Sequence, residues 1–187
     1  SQETDAKPID GSTLVWKDGL MYIPDSDKPY SGVAVRYYGN GQKWKEGTYK
    51  DGIRYEKWLK WHDNGQKSDV KNYKDGKRDG LWIEWSENGL PKVIKTFKNG
   101  KKDGKWTHWY ENGQKEKELT FKDGELDGLY TRWDENGLKK EGTYKDGRPD
   151  GFFTWSYENG QKAVEGTYRN GKQDGLVTGW HENGQKR

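Results

Sequence analysis

The side chains able to do chemistry are few or regularly repeated, and their pattern decides what they are for. The three histidines, His62, His108 and His181, fall far apart, and no two have ligand spacing on one element; we read no metal site. Asp75, Asp79, Asp123 and Asp127 sit beside glycines, where Asp caps its own turn backbone. Glu87, Glu111, Glu135, Glu158 and Glu182 each precede an Asn-Gly pair and read as solvated turn shoulders. A catalytic carboxylate pair needs an irregular, partly buried position, and regular repetition argues against one. No glycine loop precedes a helix, and no serine sits in a nucleophile motif. The reading is therefore no enzyme, no catalytic residue and no cofactor.

Two other sets recur. Lys43, Lys67, Lys115, Lys139, Lys162 and Lys186 form one basic row, with a second at Lys50, Lys74, Lys98, Lys122, Lys145 and Arg169. Trp61, Trp85, Trp109, Trp133 and Trp180 form an aromatic row, the candidate binding row. Rows of lysine beside aromatics suit anionic lipid or single-stranded nucleic acid. Interleaved acidic residues and a net charge of +3 favour soluble turns and edges instead, and argue against a dedicated nucleic-acid binder.

The elements that position these rows are set by a repeat. Asn-Gly occurs at 40, 64, 88, 112, 136, 159 and 183, a period of 24 residues shortened once to 23. Between these lie Asp-Gly or Asn-Gly pairs at 51, 75, 99, 123, 146 and 170. Both sets suit two-residue type I′ turns, whose central positions need φ > 0. The intervening segments are rich in Trp, Tyr, Phe and Thr, which suits strands. No segment has a helical period. The expected fold is all-β: an elongated array of antiparallel β-hairpins, six to seven repeats in one long twisted sheet.

Centring each hairpin on Asn-Gly fixes a register. It places Gly32 opposite Tyr49, Gly80 opposite Phe97, Gly104 opposite Phe121 and Gly151 opposite Tyr168, an aromatic across a bare glycine each time. Two copies depart. Glu56 takes the glycine's place opposite Tyr73, and the shortened copy slips Tyr144 to Leu129, with a bulge or a different turn expected there. The Trp82 column (Ala34, Trp58, Trp106, Tyr130, Phe153, Val177) and the return-arm aromatics form the expected spine. By alternation the Trp85 column faces the other way with Leu81, Ile83, Thr107 and Thr131. It either packs within a curled sheet or is a contact row.

Composition limits the core. Leu, Ile, Val and Phe supply only 26 of 187 residues against 35% charged, a balance usual in disordered chains. Eleven Trp and twelve Tyr, periodically placed, compensate, since each ring buries roughly 150–250 Å². The absence of Cys excludes disulfides and thiolate chemistry. Residues 1–12 are polar and read as a disordered arm; a removed signal peptide, and so export to a periplasm or cell surface, and a trimmed boundary both fit that start. Residues 13–30 read as a capping hairpin around Asp18-Gly19 and a loop between Pro24 and Pro29. Residues 31–187 read as one repeat domain.

The consensus Asp-Gly-x-Trp-x-x-Trp-x-Glu-Asn-Gly-Gln-Lys-x-x-x-Glu-Gly-Thr-Tyr-Lys-Asp-Gly-Lys resembles the variant MORN repeat, in the form found in bacterial proteins labelled YwqK-like antitoxin components. Asn40 to Gly52, Asn112 to Gly124 and Asn159 to Gly171 are close matches. The resemblance implies an elongated antiparallel sheet and a scaffolding or interaction role, and it brings no catalytic residues. The expected function is a non-catalytic scaffold binding a partner protein. Alternatives are a cell-surface glycan-binding module, although the Trp-Tyr-Tyr hairpin pattern of such modules is absent, and an anionic-membrane binder.

Overall fold

The computed structural model describes residues 7–187; residues 1–6 of the expected arm lie outside them. Every regular element among the described residues is a strand. In chain order these are β1 (Ile9–Asp10), β2 (Val15–Lys17), β3 (Leu20–Tyr22), β4 (Gly32–Tyr37), β5 (Lys43–Lys50), β6 (Ile53–Trp61), β7 (Lys67–Lys74), β8 (Lys77–Trp85) and β9 (Pro91–Lys98). There follow β10 (Lys101–Lys102), β11 (Gly104–Trp109), β12 (Lys115–Lys122), β13 (Glu125–Trp133), β14 (Lys139–Lys145), β15 (Arg148–Ser156), β16 (Lys162–Arg169), β17 (Lys172–Gln173) and β18 (Thr178–Gly179). Sixteen strands form one sheet whose order follows the chain from β4 onward, as successive hairpins require, and β2–β3 form a separate pair. Only β1, parallel to β4, breaks the antiparallel pattern among the registered pairs. The chain divides into two compact units, Ser1–Pro91 with Phe97–Gly100, and Lys92–Thr96 with Lys101–Arg187.

The two sets of turns differ, and this corrects the sequence reading. At Asp51-Gly52 both residues have positive φ, +49° and +77°, and the same holds at 75, 99, 123, 146 and 170. These are the I′-type turns expected of such pairs. At the other set the asparagines have no positive φ. There Gly41 N–H donates to Tyr38 C=O at 2.9 Å, Tyr38 N–H donates to Gln42 C=O at 2.8 Å, and only Gly41 is left-handed. This is the three-residue loop closed by a left-handed glycine. Asn40 serves through its side chain: Oδ1 accepts Gln42 N–H at 3.0 Å, and Nδ2 donates to Asp63 C=O of the next copy at 3.1 Å.

Gly32–Tyr49, Gly104–Phe121 and Gly151–Tyr168 nonetheless lie opposite one another as expected. The longer loop moves the register by one residue, and a bulge in the return strand moves it back. Arg36 faces Lys45 and Tyr37 faces Lys43, leaving Trp44 unpaired. The shortened copy lacks that bulge: β13 and β14 pair without interruption from Trp133–Lys139 to Gly128–Tyr144. Tyr144 therefore faces Gly128, not Leu129.

The first unit's core begins at Leu14, Tyr30 and Ala34, against which Ile9, Met21 and Tyr49 pack. Ile9 is part of β1, and Gly11 N–H bonds Val35 C=O at 2.8 Å, so the expected arm over 1–12 is structured from β1 onward. From this core a ring ladder extends through Tyr30–Tyr49–Trp58, with centroid separations of 6.2 and 4.8 Å, and includes Tyr73–Trp82–Phe97 at 5.4 and 5.0 Å. The second unit has its own: Trp106–Phe121 at 4.8 Å, then Tyr130–Tyr144–Phe153–Tyr168 at 5.1–5.7 Å. The rings do lie over glycines, but over different ones. A Cβ on Gly47 or Gly142 would fall inside the ring of Trp58 or Phe153. Gly104 and its equivalents are instead bulge positions with φ near +80° to +150°.

Candidate functional site

Two kinds of surface emerge from the repeat. The first carries the tryptophan row, Trp61 and Trp85 in the first unit and Trp109, Trp133 and Trp180 in the second, and all five are half-buried. Lysines cover parts of it: Lys43 Nζ lies 5.6 Å from the Trp61 ring, Lys139 Nζ 6.0 Å from Trp133 and Lys162 Nζ 5.8 Å from Trp180. These same lysines pair with Glu46, Glu141 and Glu165. The row's backbone is tied to the preceding copy. Tyr38, Tyr110 and Tyr157 hydroxyls donate to the carbonyls of Trp61, Trp133 and Trp180 at 2.8–3.0 Å, and His62 Nε2 lies 3.1 Å from the Trp85 carbonyl. His62 thus occupies a structural position in a tyrosine ladder.

The half-buried tryptophans share their face with more exposed side chains that the sequence reading passed over. Leu129 and Phe152 are 53% and 58% exposed, and Leu176, the next in their column, is 85% exposed. Leu129 stands four residues before Trp133 in one unbroken strand, so both point the same way. The signal was available in the repeat: the column reads Val33, Lys57, Leu81, Lys105, Leu129, Phe152, Leu176, turning apolar in its last three members.

The repeating chemistry of these copies is that of one family. The model of the MORN repeat variant matches residues 30–51, 78–99, 102–123, 126–146 and 149–170, more than half of the sequence. The chain belongs to the MORN repeat variant family. The MORN copy that begins at Glu56 lies outside the matched residues, and it is the one with a charged side chain at the bulge, at φ +52°. A comparison with curated proteins gives no match.

The opposite, ring-ladder face gives the second surface, in the first unit. Trp58 is contacted over its ring by Lys45 at 4.8 Å and Arg54 at 5.2 Å; Trp82 by Lys71 at 5.3 Å and Arg78 at 4.9 Å. Trp58 and Trp82 indole N–H groups donate to the Thr48 and Asn72 carbonyls, at 3.1 and 2.9 Å, where the bulges interrupt the ladder between copies. Burial, then the charges of Arg54, Lys60, Arg36 and Lys71, push the Lys45 amine down to about 8. Asp79, expected to cap its own turn, instead accepts the turn N–H of Asn99 at 2.9 Å, and Asp150 accepts that of Asn170 at 3.0 Å in the same way.

Proposed function

We propose that this MORN chain is a non-catalytic scaffold that binds a partner protein through the face carrying Leu129, Phe152 and the tryptophan row. The exposed Leu129–Phe152–Leu176 column carries the reading. These apolar side chains recur at the repeat spacing: Leu129 shares β13 with half-buried Trp133, Phe152 lies on β15, where Ser156 takes the tryptophan's place, and Leu176 precedes β18; Lys139–Glu141 and Lys162–Glu165 pairs lie on the neighbouring strands β14 and β16. An apolar centre with aromatic anchors and a charged rim is the composition of protein interfaces. In this reading Trp61 and Trp85 in the first unit, and Trp109, Trp133 and Trp180 in the second, are the floor of the contact row within their own unit, and the exposed column supplies the anchors. MORN repeats are typically binding and scaffold modules, and the consensus likeness to antitoxin-type bacterial proteins supports an antitoxin- or immunity-like role, or a surface interaction.

The test is affinity capture with the full chain and with a Leu129→Ser, Phe152→Ser double variant of unchanged melting temperature. A protein retained by the first and lost by the second is the expected result. Equal retention by both, or retention only of anionic vesicles or glycans, would contradict the reading.

A further inference from the structure

The ring-ladder face of the first unit holds a concavity that the proposed contact face does not use. Two hollows of about 450 and 400 Å³ share Lys45, Arg54, Trp58, Tyr73 and Gly76 along their length. Tyr49, Trp58, Tyr73 and Trp82 line them, and Trp16 of the capping hairpin, 69% exposed, lines one end. Six cations line the groove, Arg36, Lys45, Arg54, Lys60, Lys71 and Arg78, against a single lining carboxylate, Asp69. Among the described residues only Lys71 of the six has a carboxylate within 4 Å, those of Asp69 and Glu84. Arg54 donates to the Tyr73 hydroxyl at 2.8 Å and Arg36 to the Gly11 carbonyl at 2.7 Å, so both guanidinium groups are held in place.

We propose that this groove binds an extended acidic segment of a partner protein, its carboxylates set against Lys45, Arg54 and Lys60 and its apolar side chains against Trp16 and Tyr49. The inference does not rest on the contact face described above. Its ground is charge complementarity: five cations without carboxylate partners among the described residues are spread along two adjoining hollows, Lys45 and Arg54 lining both, and oriented arginines favour planar carboxylates. Burial first, and then the neighbouring cations, lower the Lys45 amine, and a bound carboxylate would offset the second of these. Single-stranded nucleic acid fits less well. It needs open ring faces for base stacking, and here Lys45 and Arg54 already lie over Trp58, and Lys71 and Arg78 over Trp82. A bilayer surface is met by protruding lysines, whereas these cations line two concavities.

The experiment is fluorescence anisotropy with the full chain and a labelled peptide of alternating Glu and Leu. A matched Gln–Leu peptide, oligothymidylate and phosphatidylserine vesicles serve as comparisons. The Glu peptide should bind about tenfold or more tighter than the Gln peptide, weaken with salt, and lose most of its affinity in Lys45→Gln and Lys60→Gln. Lys45→Gln removes a crowded charge and should fold at least as well as the parent, which the melting temperature checks. Equal binding of the two peptides, unchanged affinity in both folded variants, or tighter retention of oligothymidylate or vesicles would overturn the proposal.

Discussion

Gly128 lies directly opposite Tyr144, although the hairpin joining them is one residue shorter than its neighbours. The missing residue is the bulge that other copies carry in the return strand, at Trp44, Ser68, Glu116 and Ala163. Ion-pair spacing records the same event. Lys43–Glu46, Lys115–Glu118 and Lys162–Glu165 are three apart across a bulge, while Lys139–Glu141 are two apart without one. Either way the lysine ends on the tryptophan face. Inserting one alanine between Lys139 and Lys140 should restore the bulge of the other copies and change stability by less than about 1 kcal/mol. Chemical denaturation checks this; a loss comparable to that of a core deletion would show that the copy depends on its uninterrupted ladder.

Much of this was legible in the sequence. The period, the all-strand character of the described residues, the Gly–aromatic pairs and the ring ladder all follow from residue type and spacing. Asn-Gly does not by itself determine its turn, because the pair satisfies two different loops. In one, both residues are left-handed; in the other, Asn40 acts as a side-chain acceptor and Gly41 alone is left-handed. Local sequence does not separate them, and the compensating bulge hides the difference from any register count made far from the turn. The Lys–Trp stacking of the groove was hidden for another reason: Lys45 and Arg54 are close only because β5 and β6 pair across copies.

Glycines under rings should tolerate nothing larger. Gly47→Ala and Gly142→Ala each force a methyl into the Trp58 or Phe153 ring, and each should cost about 1–3 kcal/mol or more. Gly166→Ala meets only the Val177 methyl at 3.0 Å and should cost less. Urea midpoints of the three variants give the ranking.

Glu56 is the converse case. It holds φ +52° at a bulge where its counterparts are glycine, a conformation that costs an L-residue about 1 kcal/mol or more. Glu56→Gly should therefore raise the denaturation midpoint, partly offset by the glycine's greater freedom in the unfolded chain. A lowered midpoint would mean that the Glu56 side chain contributes more than its backbone costs.

Trp106 closes its bulge with an indole N–H donated to the Thr96 carbonyl at 2.8 Å. Trp106→Phe keeps the ring contact and loses that bond, a loss of about 1 kcal/mol. Trp106→Ala loses the packing as well, about 3–5 kcal/mol. Similar losses in both variants would place the weight on the hydrogen bond.

Lys45 gives a pH signature. Its folded-state value is near 8 against an ordinary 10.5, so between these the unfolded chain holds the extra proton. Stability contributed by this group therefore rises with pH across about 8 to 10.5, and its penalty is fully present below 8. The charges facing it are Arg36 on β4, Arg54 and Lys60 on β6, Asp69 and Lys71 on β7 and Arg78 on β8, with the Tyr49 and Tyr73 hydroxyls. Lys45→Gln should be more stable than the parent at pH 7, with the difference shrinking toward pH 10.5. A difference that stays constant would contradict the assignment.

Side-chain footprinting by hydroxyl radicals, with and without the captured partner, tests the scaffold reading most directly. Leu129, Phe152 and Leu176 should lose labelling when the partner is bound, while residues of the ring ladder such as Phe121 and Tyr168 keep theirs. Unchanged labelling of Leu129 and Phe152 in the saturated complex would contradict it.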